Sequence, residues 1–376
     1  KKNNMFRNVI PFIFIILCSI SFSQSVENRT YEIDSEFLKE KRSITVSLPR
    51  NYDVQQSYPF VYILDGDFFF DYASGVIKYL ADFEELIPNC IVIGIPNTLN
   101  SRNRDLYLPR NPTKETLSNS IKPIENFTRF IEKEVFPLIE NNYGIQKFKI
   151  IHGWSLGSQF SAYIFSNKRH LFDGYILSGF LQNEKLFKNY FDLKPPNNLK
   201  THKYLYANME GVNAKRWYPE PLKYFKKYET LVSNTSKIKV KFKEEKKLNH
   251  DQVLFVSLTK GMKFIFSDFF NAVKLKENTS EKPPDKMLVH DYKERINKYY
   301  KESFSIPAFI FINRLHSIQN SDPTENSENT KKNIFLLKEG ISIHHNSSYL
   351  LRKLSLYNLI DKNFNEADKL RNYLKN

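Results

Sequence analysis

Cysteine and glycine are both scarce in this chain of 376 residues, which contains 2 cysteines and 11 glycines. Cys18 lies in an apolar N-terminal stretch that we expect to be removed, so Cys90 would remain without a disulfide partner. The fold is therefore expected to depend on its core rather than on cross-links. With 41% hydrophobic and 15% aromatic residues, the composition is sufficient for a large core.

Other signals are missing as well. Beyond the N-terminal stretch, no apolar run is long enough for a transmembrane helix, and histidines and cysteines do not cluster at metal-ligand spacings. The formal net charge is +15, but it is scattered, and no nucleic-acid-binding motif accompanies it. We expect no nucleic-acid partner, no integral membrane segment in the mature chain, and no metal or other cofactor. The charge is interpreted as a solvated surface, with anionic substrates or envelope surfaces as the alternative.

Residues 1–23 have the composition of a secretory signal peptide. Three basic residues lie among the first seven, and the apolar run Val9–Ile20 follows them. Ser21 and Ser23 supply small side chains at the positions that precede a cleavage site. This pattern predicts an exported protein, periplasmic or secreted.

Apolar runs typical of buried strands alternate with amphipathic segments over most of the chain. This rhythm predicts an α/β fold, with a mostly parallel, twisted sheet and helices on both of its faces. Ser43–Leu48 alternates polar and apolar residues, which predicts a half-exposed antiparallel edge strand. The predicted buried or near-edge strands are Tyr58–Leu64, Cys90–Ile95, Phe148–His152, Phe172–Leu177, Tyr204–Asn208 and Ile238–Lys243.

The segment Gly153-Trp154-Ser155-Leu156-Gly157 joins one predicted strand to a segment with helical spacing. This is the layout of a nucleophile elbow, in which a sharp turn exposes a serine hydroxyl at the edge of the sheet. Glycines allow the backbone to bend tightly there. Ser155 is the candidate nucleophile, and an ordinary serine in a tight turn is the alternative.

In open α/β sheets, the chemistry gathers at the carboxyl ends of the strands. Of the eight histidines, only His250 follows a predicted strand and precedes a predicted helix, so it is the candidate general base. Glu210 ends the preceding strand and is the candidate acid that orients the imidazole. Glu220, Asp192 and a Ser–His dyad without a strong acid are the alternatives.

An oxyanion hole needs two backbone N–H groups aimed at the developing charge. Leu156 is expected to supply one, and Gly66 or Asp67, after the Tyr58–Leu64 strand, the other. A simple turn is the alternative for this second loop.

Three side chains are candidates for substrate binding: Trp154 in the elbow, Phe68, and Arg104 in the polar stretch 98–118. Phe68 belongs to the run Phe68-Phe69-Phe70, for which core packing is the alternative. For Arg104, the alternative is a salt-bridged surface loop.

Seven short segments occur in order between Ser43 and Asp268: Leu64–Asp67, Val92–Asn97, Arg104–Leu106, Val135–Glu140, Gly153–Gly157, Phe172–Gly174 and His250–Val253. With these segments, the region resembles the esterase branch of the α/β-hydrolases, which includes S-formylglutathione hydrolases, enterobactin esterases, carbohydrate esterases and mycolyltransferases. The resemblance implies an α/β-hydrolase fold that works without metal, with Ser155 as nucleophile, His250 as base and an oxyanion donor near Gly66–Asp67.

The chain beyond residue 273 has a different character. Residues 274–286 are rich in Lys, Glu and Pro, which predicts a linker between a catalytic domain at 24–273 and a small all-helical appendage at 287–376. The appendage faintly resembles a tetratricopeptide unit, and a plain helical bundle is the alternative. A protein partner could bind these helices.

The sequence predicts an exported serine esterase that cleaves a small-molecule or carbohydrate ester, with a siderophore ester among the candidates. An acyltransferase with the same three residues is one alternative. A catalytically silent scaffold that acts through its helical tail is another.

Overall fold

Within the part of the chain that the structure describes, eight strands form one twisted sheet. In the computed structural model, the described residues are 28–50, 52–97, 99–109, 113–180, 199, 201–211, 229–230, 237–269, 285–301, 304, 306, 311, 327–344 and 348–374. The strands are β1 (Arg29–Ser35), β2 (Glu40–Ser47), β3 (Phe60–Leu64), β4 (Ile91–Ile95), β5 (Lys149–Trp154), β6 (Gly174–Ser178), β7 (Lys203–Glu210) and β8 (Ile238–Glu245).

The strand order across the sheet is β1-β2-β4-β3-β5-β6-β7-β8. The pairs β1/β2 and β2/β4 are antiparallel, and every pair from β4 to β8 is parallel. The predicted mostly parallel sheet is therefore confirmed. The predicted edge position of Ser43–Leu48 is wrong, because β1 pairs with Glu40–Val46 of β2 and occupies the edge itself.

Helices cover both faces, as predicted. Before residue 270 they are α1 (Gly66–Lys78), α2 (Leu99–Leu106), α3 (Lys114–Phe130), α4 (Phe136–Tyr143), α5 (Leu156–Asn167) and α6 (Gln252–Ile265). Two π-helical turns, Tyr79–Phe83 and Ile131–Val135, follow α1 and α3. The polar stretch 98–118 was expected to be a loop, but most of it is helical in α2 and the start of α3.

Alternate residues of the central strands point to opposite faces and build two separate cores. In β3, Tyr62 contacts the core beneath α3, α4 and α5, whereas Val61 and Ile63 contact the core beneath α1 and α6. The period of two residues in a strand accounts for this division.

The C-terminal helices are α7 (Asp285–Tyr300), α8 (Ser327–Ile343), α9 (Ser348–Ile360) and α10 (Phe364–Tyr373). They confirm the predicted helical region. Buried side chains of α7, α8 and α9 belong to the same hydrophobic cluster as α1 and α6. The ring of Tyr300 stacks on Tyr204 of β7, with centroids 6.0 Å apart. The Lys301 ammonium contacts the Asp173 carboxylate at 2.5 Å.

Several predictions of the sequence analysis lie outside the described residues. These are the signal peptide at 1–23, the alternative acids Asp192 and Glu220, the domain boundary at 273, and the greater part of the predicted linker. None of the helices among the described residues is both long and apolar enough to cross a bilayer.

A buried histidine lies in the middle of the sheet. His152 of β5 is 1% exposed, and its Nε2 lies 2.8 Å from the Ser178 hydroxyl of β6. Within the described part of the chain, its Nδ1 has no hydrogen-bond partner. Burial lowers the pKa of His152 from 6.5 to about 4. Its ring is therefore neutral at physiological pH and packs as a core side chain.

The lowered pKa of His152 predicts a loss of stability in mild acid. The unfolded chain takes up a proton below pH 6.5, whereas the folded chain does not until about pH 4. The contribution of neutral His152 to the free energy of unfolding is therefore fully present above pH 6.5 and is lost as the pH falls to about 4. The loss is on the order of 3 kcal/mol. Urea unfolding at pH 7.5 and pH 4.5 measures this change in the free energy of unfolding.

The control is His152→Gln, which keeps a polar atom near the Ser178 hydroxyl but does not titrate. The variant should lose less stability than the natural protein between the two pH values. Equal losses in the two proteins would show that His152 is not the titrating group.

Candidate active site

The turn from β5 to α5 has the geometry of a nucleophile elbow. Ser155 lies between the last residue of β5 and the first residue of α5, with φ 55° and ψ −112°. A positive φ is unfavourable for a residue with a side chain and is held only when the surroundings enforce it. The turn places Ser155 directly after β5, at the carboxyl edge of the sheet.

The two glycines of the elbow differ in how strictly they are required. A Cβ at Gly153 would lie 2.2 Å from the carbonyl oxygen of Gly157, so no larger residue fits. A Cβ at Gly157 would lie 3.6 Å from its nearest neighbours, which is ordinary contact. The tight crossing of β5 and α5 therefore depends on Gly153.

His250 lies in the loop between β8 and α6, as the sequence predicts. Its Nδ1 is 3.0 Å from Oε1 of Glu210, at the end of β7. The His250 side chain is 34% exposed, whereas that of Glu210 is 6% exposed. Within the described residues, the second carboxylate oxygen, Oε2, is buried without a hydrogen-bond partner. The imidazole is therefore the principal polar contact of a buried carboxylate.

Trp154 connects the His250 loop to the elbow. Its indole Nε1 donates a hydrogen bond of 3.0 Å to the backbone carbonyl of His250, and the two rings are 5.1 Å apart. His250 therefore packs against the residue that directly precedes Ser155. In the described part of the chain, the Ser155 hydroxyl and the His250 ring are not hydrogen-bonded to each other. Such catalytic hydrogen bonds often shorten only when a substrate binds.

Gly179 and Asn208 complete the surroundings of the imidazole, and the sequence analysis did not assign either to the site. Gly179 has φ 57°, and a Cβ there would lie 3.0 Å from Cε1 of His250. Its N–H donates to Oδ1 of Asn208, which is buried on β7. Gly179 lies two residues after the predicted strand Phe172–Leu177 in a glycine-poor chain, and this position was the signal that could have identified it.

The loop after β3 carries the other predicted oxyanion donors. Asp65 precedes α1 in the left-handed region, with φ 53° and ψ 42°, and Gly66 and Asp67 form the first turn of the helix. The first N–H groups of a helix have no acceptor within it. The same is true of Leu156, the first residue of α5. A Cβ at Gly66 would lie 2.8 Å from the backbone nitrogen of Ile95, so glycine is required here too.

An ion pair lies between this loop and the elbow. Arg102 of α2 donates from Nε and Nη2 to the two carboxylate oxygens of Asp65, at 2.8 and 3.0 Å. Asp65 is 1% exposed. Burial raises the pKa of Asp65, and the neighbouring Arg102 guanidinium opposes that rise.

Arg104, the candidate substrate-binding arginine, points elsewhere. Its guanidinium donates to both carboxylate oxygens of Glu40 and to Asp105. The hydrogen bond from Arg104 lowers the pKa of Glu40 to about 2. The structure therefore favours the salt-bridged alternative for Arg104.

Aromatic rings extend from the His250 loop to the surface. The Phe69 ring lies 5.5 Å from Trp154 and 6.4 Å from Phe68. Phe68 is 62% exposed, whereas Phe70 is buried, so the core-packing alternative describes Phe70 but not Phe68. An exposed apolar surface therefore adjoins the elbow.

Comparison with known families identifies the group. A family model described as "Putative esterase" matches residues 35–305, well over half of the chain. The chain belongs to this esterase family. It is a carboxylic ester hydrolase, which confirms the family and the enzyme class predicted from the sequence.

Solved structures agree with the fold of the esterase. An IroE-like serine hydrolase from Shewanella oneidensis is 20% identical, with a TM-score of 0.61 over 85% of this chain and 100% of the other. An uncharacterised protein from Capnocytophaga ochracea is 15% identical, with a TM-score of 0.59 over 93% of each chain. The BES protein from Bacillus cereus is 22% identical, with a TM-score of 0.52 over 63% of this chain and 95% of the other. The search of curated proteins found no match.

These similarities confirm the predicted α/β-hydrolase fold. The match over 93% of the chain must also include part of the C-terminal helices, because they form a larger share of the chain than the unmatched part.

The elbow glycines give a paired prediction. Gly153→Ala should destabilise the esterase by about 3 kcal/mol or more, because the new methyl group meets backbone atoms that cannot move aside. Gly157→Ala should change the free energy of unfolding by less than about 1 kcal/mol, because the methyl group fits at ordinary contact distance and alanine favours the helix. Thermal melting and hydrolysis of a p-nitrophenyl ester measure both effects. Equal damage from the two substitutions would contradict the elbow geometry.

Proposed function

We propose that the esterase cleaves its substrate through an acyl-enzyme on Ser155, with His250 as general base and Glu210 as the acid that orients it. The observation that carries this proposal is the position of His250. Its ring is held by the Glu210 carboxylate on one side, and its backbone is held by the tryptophan that precedes Ser155 on the other. The similarity of the fold to an IroE-like serine hydrolase supports the same mechanism.

The chemistry follows from the roles of these groups. Nε2 of His250 removes the proton from the Ser155 hydroxyl as its oxygen attacks the ester carbonyl. The tetrahedral oxyanion accepts hydrogen bonds from the N–H groups of Leu156 and of Gly66 or Asp67. The imidazolium then protonates the leaving alcohol, and water repeats the sequence to release the acid.

Glu210 is suited to hold the imidazolium that forms in each half of this cycle. Its carboxylate is buried, so its attraction to a positive charge is weakly screened. Because Nδ1 of His250 donates to Glu210, Nε2 is left as the basic nitrogen that can face Ser155.

The substrate proposed here is a small-molecule or carbohydrate ester with an apolar or aromatic group. Phe68 and Phe69 present apolar surface next to Trp154, and rings of this kind bind apolar and aromatic groups by stacking. Siderophore and aromatic esters are the first substrates to test.

Substitution of each member of the triad gives the central test. Ser155→Ala and His250→Ala should each lower kcat by about a millionfold, because neither nucleophile nor base can be replaced by water alone. Glu210→Gln should lower it by about 10⁴-fold, because the amide can support the wrong imidazole tautomer. Steady-state hydrolysis of p-nitrophenyl esters measures these changes, with circular dichroism as the check on folding.

A fluorophosphonate probe separates this mechanism from a silent scaffold. The natural protein should be labelled covalently, and Ser155→Ala should not be labelled. Labelling that persists in Ser155→Ala, or full turnover by a folded His250→Ala variant, would contradict the proposal.

We also propose that the esterase is exported after cleavage behind Ser23. The basic and apolar pattern of residues 1–23 supports this. Expression of the full chain with its N-terminal segment, followed by N-terminal sequencing of the extracytoplasmic protein, should give a first residue of Gln24. Retention of residues 1–23 on a cytoplasmic product would exclude export by this route.

A further inference from the structure

Arg102 lies at the junction of the two backbone segments that carry the proposed oxyanion donors. One guanidinium nitrogen, Nη2, donates both to Asp65, in the loop after β3, and to the backbone carbonyl of Trp154, at the end of β5. The guanidinium carbon also lies 5.6 Å from the centre of the Trp154 ring. A single side chain therefore binds the residue before Gly66 and the residue before Ser155.

The Asp65 carboxylate cannot adjust freely. It is buried, its residue is held in the left-handed region, and its Oδ2 would be 3.6 Å from a Cβ at Gly157 on the first turn of α5. The N–H of Asp65 donates to Oδ1 of Asn97, and the N–H of Asn97 donates to the Asp67 carboxylate. The loop is thus fixed from several sides, and Arg102 is the member that joins it to the elbow.

We propose that Arg102 is a positioning residue for the oxyanion hole: it sets the distance between the N–H groups of Gly66 and Asp67 and that of Leu156. This inference rests on the proposed serine mechanism. Two donors on different loops stabilise the transition state only when both lie within hydrogen-bonding distance of one oxygen atom. A shift of about 1 Å between the loops would move one donor out of hydrogen-bonding distance and lower the rate by about 100-fold.

Arginine is the residue type that this role requires. The planar guanidinium binds two carboxylate oxygens and still has N–H groups directed at a third acceptor. Lysine would keep the positive charge beside the buried Asp65, but its single ammonium cannot reproduce the fork. Charge and geometry can therefore be separated by comparing Arg102→Lys with Arg102→Gln.

The experiment measures kcat and KM for a p-nitrophenyl ester, and the affinity for a trifluoromethyl ketone, which forms a tetrahedral oxyanion adduct with an active-site serine. Arg102→Gln should lower kcat by about 10- to 100-fold and change KM by less than about threefold, because the loss falls on the transition state. Its affinity for the ketone should fall by the same factor as kcat/KM. The kcat and ketone affinity of Arg102→Lys should lie between those of Arg102→Gln and those of the natural protein.

Lys203→Gln is the matched control. Lys203 and Asp173 form another buried ion pair, with side chains 5% and 2% exposed, at the amino end of the strands and away from the elbow. Loss of this ion pair in Lys203→Gln should lower the melting temperature but leave kcat and the ketone affinity unchanged. This control separates general destabilisation from movement of the oxyanion donors.

The possible results distinguish the failure of this inference from the failure of the proposed mechanism. If folded Arg102→Gln has the same kcat and ketone affinity as the natural protein while Ser155→Ala is inactive, only the role of Arg102 is overturned. Activity in Ser155→Ala would overturn the mechanism itself. If Arg102→Gln does not fold, the test depends on Arg102→Lys. The role of Arg102 is then overturned if this variant has the same kcat and ketone affinity as the natural protein.

Discussion

Parallel pairing of the six strands from β4 to β8 is the constraint on which the site depends. Because these strands run in one direction, their carboxyl ends meet at a single edge, and every loop that follows them begins there. Asp65, Ser155, Gly179, Glu210 and His250 follow or end five different strands of this set. The chemistry of the site is therefore assembled from distant parts of the chain by the direction of the backbone.

The same edge gathers features that are unfavourable on their own. Ser155 has a positive φ, and the carboxylates of Asp65 and Glu210 are both removed from water. Each buried charge costs several kcal/mol unless a partner is present. Arg102 compensates Asp65 and His250 contacts Glu210, and both partners also bind Trp154. Trp154 thereby links two buried carboxylates to the residue that carries the strained conformation.

The sequence predicted the parts of the site that depend on local pattern. Ser155 and His250 were predicted as site residues because each follows a predicted strand, the first a buried apolar run and the second an alternating strand, and strand direction then fixes the edge at which they lie. Arg104 was predicted to bind substrate and Arg102 was given no role, because both lie in a polar stretch whose short helix has little apolar periodicity. Which arginine turns toward Asp65, 37 residues earlier, is decided by tertiary packing. The edge position of β1 was missed for the same reason, since pairing of strands is not encoded in either strand alone.

The C-terminal helices bear on the site through α6, the helix that follows His250. The Tyr300 hydroxyl at the end of α7 donates to the carbonyl of Ile265, the last residue of α6, and accepts from the N–H of Phe269. The Tyr300 ring also packs on Phe266, at a centroid distance of 5.4 Å. The carbonyl groups at a helix end need such partners when water is excluded. Since α6 begins two residues after His250, the helix that follows the His250 loop is held at its far end by the C-terminal helices. The helical tail and the sheet therefore belong to one packed unit, in which α6 is the connecting element.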